Sequence, residues 1–166
     1  MKYVGIIGIC LVLGSCLNDG NCLITATNNM HIQFKKESNK LDSSLRIKAI
    51  SISGTDTIIK VNASVSEILI PIDIHSNITS VVIWHTNSDS TKAGFDTLQV
   101  SYTGQTKVIA KDCGAFTYYQ NLKVLHSNLK DSQIKEFSTS LLVDPTLYSG
   151  NRNNPSAYAV NYQIFY

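Results

Sequence analysis

Apolar and polar residues alternate at a spacing of two through most of this chain, which is the pattern of strands with one buried face. Met30-His31-Ile32-Gln33-Phe34 alternates cleanly. The stretch 46–53 resumes the pattern out of phase: Ile47 and Ala49 fall on the face opposite Ile50 and Ile52, so a bulge is expected between them. Ile68, Ile70, Ile72 and Ile74 share one face of the clearest strand. Pro71 within it cannot donate to a ladder, so that strand is expected at an edge or with that position facing outward. Residues 79–86 are apolar on both faces, as a central strand is. In 96–103, Leu98, Val100 and Tyr102 line up, and Gly104-Gln105 is read as a turn into a separate strand over 106–110. Phe116, Tyr118, Gln120, Leu122, Val124 and His126 stay in step. A strand is expected over 134–143. The last runs over 157–166, with Tyr158, Val160, Tyr162, Ile164 and Tyr166 on one face.

Turn-forming residues separate these runs, and no stretch shows a convincing helical period. The pattern predicts an all-β fold, an antiparallel β-sandwich of immunoglobulin-like type with about seven to nine strands. It fits one domain over 22–166, with no internal repeat.

The first sixteen residues follow another pattern. Lys2 gives a basic start, 3–13 is an apolar run, and Gly14-Ser15 precede Cys16. This is the layout of a secretory signal peptide over 1–15, too short to span a bilayer, which takes about 20 apolar residues. Leu13-Gly14-Ser15-Cys16 resembles the lipobox of bacterial lipoproteins, in which the cysteine is lipidated; the alternative is an ordinary signal peptide with a chance cysteine. Each buried lipid CH₂ contributes about 0.8 kcal/mol, so two or more chains on Cys16 anchor stably, with 16–21 as tether. In Gram-negative lipoproteins an Asp after the cysteine often signals inner-membrane retention. Leu17 stands there instead and points to the outer membrane. Asp19 alone is a poor match to an acidic surface-export cluster, so the periplasmic face is favoured over the cell surface.

Composition narrows the classes further. Loss of the signal peptide leaves thirteen basic against twelve acidic side chains, and only 16% of the whole chain is charged. With neither a basic block nor an acidic tail, nucleic acid is not an expected partner. Of four cysteines, Cys10 leaves with the signal and Cys16 is assigned to lipid. Cys22 and Cys113 most simply pair in an oxidising compartment; the alternative is two free buried thiols. A bond between them closes a loop of roughly 90 residues, which the chain-entropy model values at about 4–5 kcal/mol.

Several stretches together carry a family resemblance: the lipobox followed by Cys22-Leu23, the 30–34 strand, Asp56-Thr57, the 68–74 strand, Asp96-Thr97-Leu98-Gln99-Val100-Ser101-Tyr102, Asp112-Cys113-Gly114, Asn121-Leu122 and the terminal Asn161-Tyr162-Gln163-Ile164-Phe165-Tyr166. The chain resembles an uncharacterised family of small Gram-negative, Bacteroidota-type lipoproteins, a domain of unknown function. The resemblance implies the Cys22–Cys113 pairing and lends no activity. One departure is that no proline follows Cys22 before the next strand.

Catalytic and metal motifs do not emerge. His31, His75, His85 and His126 belong to no His-Glu-x-x-His or zinc-spaced cluster. There is no Gly-x-Ser-x-Gly elbow and no phosphate-binding glycine loop. Asp73 and His75, two apart on the expected strand, read as a solvated polar face rather than a metal pair. Calcium spacing is missing around Asp89 and in the 144–155 loop. The reading is therefore not an enzyme, with no catalytic residues, no metal and no cofactor. Binding residues remain. Trp84 and His85 fit either core packing or a sugar-stacking platform, and Tyr148 with Arg152 form a candidate surface in the long polar loop. Tyrosine suits such a role, with a large apolar ring and a polar tip. The expected function is a lipid-anchored, non-catalytic envelope protein that binds or assists an envelope protein; the alternative is a glycan- or small-ligand-binding lipoprotein.

Overall fold

A computed structural model describes residues 25–36, 38, 45–52, 57–86, 93–110, 114–143 and 155–166. The stretches expected as signal peptide and tether, with Cys16, Cys22, Cys113, Tyr148 and Arg152, lie outside the described residues. Nine strands occur among those that are described: β1 (Asn29–Lys35), β2 (Arg46–Ile52), β3 (Thr57–Ser64), β4 (Glu67–Pro71), β5 (Ile78–Thr86), β6 (Ala93–Ala110), β7 (Gly114–Ser127), β8 (Ile134–Glu136) and β9 (Tyr162–Phe165). The only helical pieces there are two three-residue 3₁₀ turns, Asp131–Gln133 and Pro155–Ala157.

The strands form two sheets, ordered β3-β2-β5-β6-β7 and β4-β1-β9-β8. One core joins them. Met30, Ile32, Phe34, Ile70, Tyr162 and Ile164 from the four-stranded sheet meet Ile50, Ile52, Val81, Ile83, Leu98 and Val100 from the five-stranded sheet. Each side chain so buried contributes about 1.5–3 kcal/mol of transfer free energy. The expected all-β, sandwich-like architecture is thus observed, with one departure from a purely antiparallel arrangement. β1 and β9 pair in parallel, Ile32 opposite Tyr162 and Phe34 opposite Ile164. These strands come from opposite ends of the domain, so the whole intervening chain serves as the long crossover that a parallel pair needs.

Local chemistry explains the details. The expected bulge in β2 lies between Ile47 and Ala49, a register shift in the pairings to both β3 and β5. It places Ile47, Ile50 and Ile52 together in the core. β5 is central, as its two-sided pattern implied. β4 is an edge strand ending at Pro71, so Ile72 and Ile74 follow it rather than extend it. Ile74 is exposed.

Four strand expectations are corrected. Gly104-Gln105 does not turn: β6 runs unbroken for 18 residues. Gly104 instead sits within the ladder opposite Tyr119, where a Cβ would make only ordinary contact, 3.4 Å from the Tyr119 ring and from Thr117. The in-step series along β7 fails because Asn121 takes a left-handed backbone (φ 59) where the register slips between Ser101 and Thr103. This bulge brings Tyr119 and Leu122 to the same core. The 134–143 run pairs as a strand only over β8, and after it Leu122 and Leu141 exchange bonds with the 139 and 119 carbonyls along the edge of β7. Lastly, the final strand is only Tyr162–Phe165, because the 3₁₀ turn at Pro155 diverts Tyr158 into a small separate cluster with Val143 and Ala157.

Candidate functional site

The two outer sheet faces differ in chemistry. On the four-stranded sheet, Gln33 lies opposite Glu67 in one neighbour and Gln163 in the other. Gln163 Nε2 donates to Gln33 Oε1 (3.0 Å), and Gln33 Nε2 donates to Glu67 Oε2 (3.3 Å). The buried His31 ring stands at the end of this ladder, with Nε2 3.3 Å from Glu67 Oε2 and Nδ1 3.1 Å from the Tyr158 carbonyl. A carbonyl only accepts, so Nδ1 is the donor. The amide and carboxylate groups of Gln163, Gln33 and Glu67 bond in series across the face, while the buried His31 Nε2 makes no hydrogen bond among the described residues.

The five-stranded sheet presents aromatics instead. Trp84 on β5 stands directly opposite Phe95 on β6, and they are 39% and 57% exposed. Around them the outward positions of these strands are Ser80, Val82, Thr97 and Gln99, with Gln99 Nε2 donating to Ser80 Oγ (3.1 Å). Trp84 is not core.

His85, its sequence neighbour, points the other way, so the two do not build one platform. Its Nε2 lies 3.1 Å from Asp96 Oδ2, and the same carboxylate oxygen accepts the Tyr166 hydroxyl. The Tyr166 ring packs against His85 at 5.1 Å between centroids. Gly94, opposite His85 in the ladder, leaves space for the imidazole: a Cβ there would come within 3.2 Å of it. The buried His85 Nδ1 has no hydrogen-bond partner among the described residues. This cluster ties the terminal tyrosine to the β5–β6 pair. Sequence reasoning missed it because Asp96 and Tyr166 are 70 positions apart.

Asp73 and His75 lie in a turn after β4, not on a strand. The Asp73 carboxylate accepts the His75 backbone N–H (2.9 Å), and its backbone N–H donates to Thr79 Oγ1 (2.8 Å). Tyr102 donates its hydroxyl to the Asp73 carbonyl (2.6 Å). Burial pushes the Tyr102 hydroxyl above the ordinary tyrosine pKa, with the negative charge of Asp73 acting in the same direction. Among the described residues no three His, Cys, Asp or Glu side chains stand together as metal ligands, and no helix there is long and apolar enough to cross a membrane.

A cleft of about 440 Å³ opens beside the outer half of β7. Phe116, Thr117 and Tyr119 form one wall, the segment 26–29 another, and Ile74, Val143 and Tyr158 the rest. Asn29 Nδ2 donates to the Tyr158 hydroxyl at 3.4 Å, and Thr117 and Thr106 hydroxyls meet at 3.0 Å. Tyr119 stacks edge-on against Tyr102 at 5.8 Å. Burial, and then the charge of Asp73, raise its pKa and keep its hydroxyl protonated as a donor. A second groove of about 480 Å³ follows residues 123–127 of β7 towards Ile134 and Glu136.

Comparison with known proteins gives one match. The model of a family of unknown function, DUF6452, matches residues 44–141. That stretch holds the whole five-stranded sheet with β4 and β8, while β1 and β9, which join those two strands, lie outside it. No curated protein and no solved structure matches the chain.

Proposed function

The chain belongs to the DUF6452 family of unknown function, and we propose that it is a lipid-anchored, non-catalytic protein of the cell envelope that acts by binding. In this reading Cys16 carries the lipid, the domain stands on the periplasmic face of the outer membrane, and the outer face of the five-stranded sheet meets an envelope protein. The supporting observation is the contrast between the two faces. One carries the hydrogen-bonded run Gln163–Gln33–Glu67, with Phe137 exposed singly beyond β8 under the Lys135 ammonium; the other exposes Trp84 and Phe95 side by side. Tryptophan is enriched among the residues that dominate protein interfaces, and exposed aromatics on a sheet face need no place in the folding core. A second reading, a small-ligand-binding lipoprotein, is favoured by the cleft beside β7.

The test combines metabolic labelling with an alkyne fatty acid and chemical cross-linking in intact cells. The proposal predicts a label lost in Cys16→Ala, and one abundant envelope protein cross-linked to the wild-type chain but not to Trp84→Ala. Unlabelled protein, or a partner retained by Trp84→Ala, contradicts it.

A further inference from the structure

We infer that the cleft beside β7 binds a neutral saccharide. The inference rests on the reading of the chain as a binding module and deepens its small-ligand form, but it does not depend on the anchor. Three features of the wall carry it. First, none of the described lining residues bears a charge: they are aromatic, aliphatic, amide or hydroxyl side chains. A phosphate or carboxylate ligand would meet no positive charge among them, and the nearby Asp73 carboxylate would repel it, which is costly in a partly desolvated site. A neutral ligand carries no such cost.

Second, aromatic and hydrogen-bonding groups are interleaved. Phe116, Tyr119 and Tyr158 supply rings, while Asn28, Asn29 and Thr117 supply donors and acceptors. A sugar ring has apolar C–H faces and a rim of hydroxyls that both donate and accept, so it matches this alternation. A purely apolar ligand would strand the amides.

Third, polar capacity in the wall is unspent. Asn28 offers a side-chain amide that makes no hydrogen bond among the described residues, although its backbone carbonyl holds Ile72. The Tyr119 hydroxyl likewise makes none there, while its ring packs edge-on against Tyr102. An amide presents a donor and an acceptor at once, the pair that vicinal hydroxyls satisfy. The volume, about 440 Å³, lies within the range of small-molecule sites, about 300–1,000 Å³, and suits the end of an oligosaccharide rather than a long polymer.

The experiment is isothermal titration of the full chain, held in a sugar-free zwitterionic detergent, with maltohexaose, cellohexaose, chitohexaose and mannohexaose. Hexagalacturonate serves as the charged probe. The inference predicts that at least one neutral hexasaccharide binds and hexagalacturonate does not. Asn28→Ala and Tyr119→Phe should each weaken that binding at least tenfold, while Trp84→Ala and Cys16→Ala leave it unchanged. Asn28 is exposed, so its replacement keeps the fold even if Tyr119→Phe disturbs the packing with Tyr102. The inference is overturned if no neutral hexasaccharide binds, if binding ignores Asn28→Ala, or if the acidic oligomer is preferred. Because Trp84→Ala and Cys16→Ala are tested in the same titration, failure of the anchored protein-docking reading is separable from failure of this one.

Discussion

Replacing Asn161 by Ala tests how the second sheet is held together. Asn161 sits just before β9 and is 1% exposed. Its Oδ1 accepts the His31 backbone N–H at 2.9 Å, and its Nδ2 donates to the carbonyls of Ser138 and Ser140, both at 3.0 Å. One side chain therefore stitches β1, β9 and the segment along the β7 edge. Each net hydrogen bond contributes about 0.5–1.5 kcal/mol, and a buried group left unpaired costs about 1–3 kcal/mol. Loss of all three bonds is expected to cost about 3 kcal/mol. For a domain of this size that lowers the melting temperature by roughly 6–12 °C. Asn161→Asp keeps the acceptor for His31 but turns a carboxylate oxygen on two carbonyls, so it should cost at least as much at neutral pH. Thermal unfolding followed by circular dichroism measures both, with the exposed Asn28→Ala as control. A loss below about 1 kcal/mol in Asn161→Ala would refute the reasoning, because the three bonds would then be replaced at no cost.

Other predictions follow from the same packing. Tyr162 is fully buried, its hydroxyl makes no hydrogen bond of good geometry among the described residues and only approaches the Glu136 carboxylate, and burial, followed by the charge and proximity of Glu136, raises its pKa. Tyr162→Phe is therefore expected to be neutral or stabilising, by up to about 1–3 kcal/mol, in a urea titration; a clear loss of stability would count against it. Tyr102, Tyr119 and Tyr162 all have raised pKa values. Their contribution is fully present below the ordinary tyrosine pKa of about 10 and falls as pH rises through the folded values, by about 1.4 kcal/mol per pH unit for each tyrosine. Denaturation midpoints measured from pH 7 to 11.5 should be flat with respect to tyrosine and then drop, less steeply in Tyr162→Phe. Gly94→Ala drives a Cβ to 3.2 Å from the His85 ring, an overpacking expected to cost about 1–3 kcal/mol and to move the His85 ring resonances; unchanged resonances would show that the ring has room.

Much of the fold was legible because period-two alternation reports burial directly. It located the β2 bulge, the central place of β5 and the edge character of the strand with Pro71. It failed where the deciding contact was remote. Gly104 reads as a turn residue, yet it lies inside the continuous β6 ladder opposite Tyr119. The phase of β7 shifts at Asn121, whose left-handed backbone leaves no mark on the hydrophobic pattern. Trp84 and His85 are adjacent in sequence, so a strand necessarily sends them to opposite faces. The sequence pattern therefore argued against its own shared platform. The cleft was not legible, because its walls come from the 26–29 segment, the turn after β4, the outer half of β7 and Tyr158. The candidate residues Tyr148 and Arg152, the expected lipidation site Cys16 and the cysteines Cys22 and Cys113 lie outside the described residues.

The central claim is that this protein works by docking the aromatic face of its five-stranded sheet on an envelope partner. The most direct measurement places a photo-activated cross-linking amino acid at position 95 in living cells and, separately, at position 108 on the exposed outer half of β6. The account predicts one discrete membrane-associated adduct from position 95, absent from position 108 and abolished by Trp84→Ala. No adduct at position 95, or the same adduct from both positions, would contradict it.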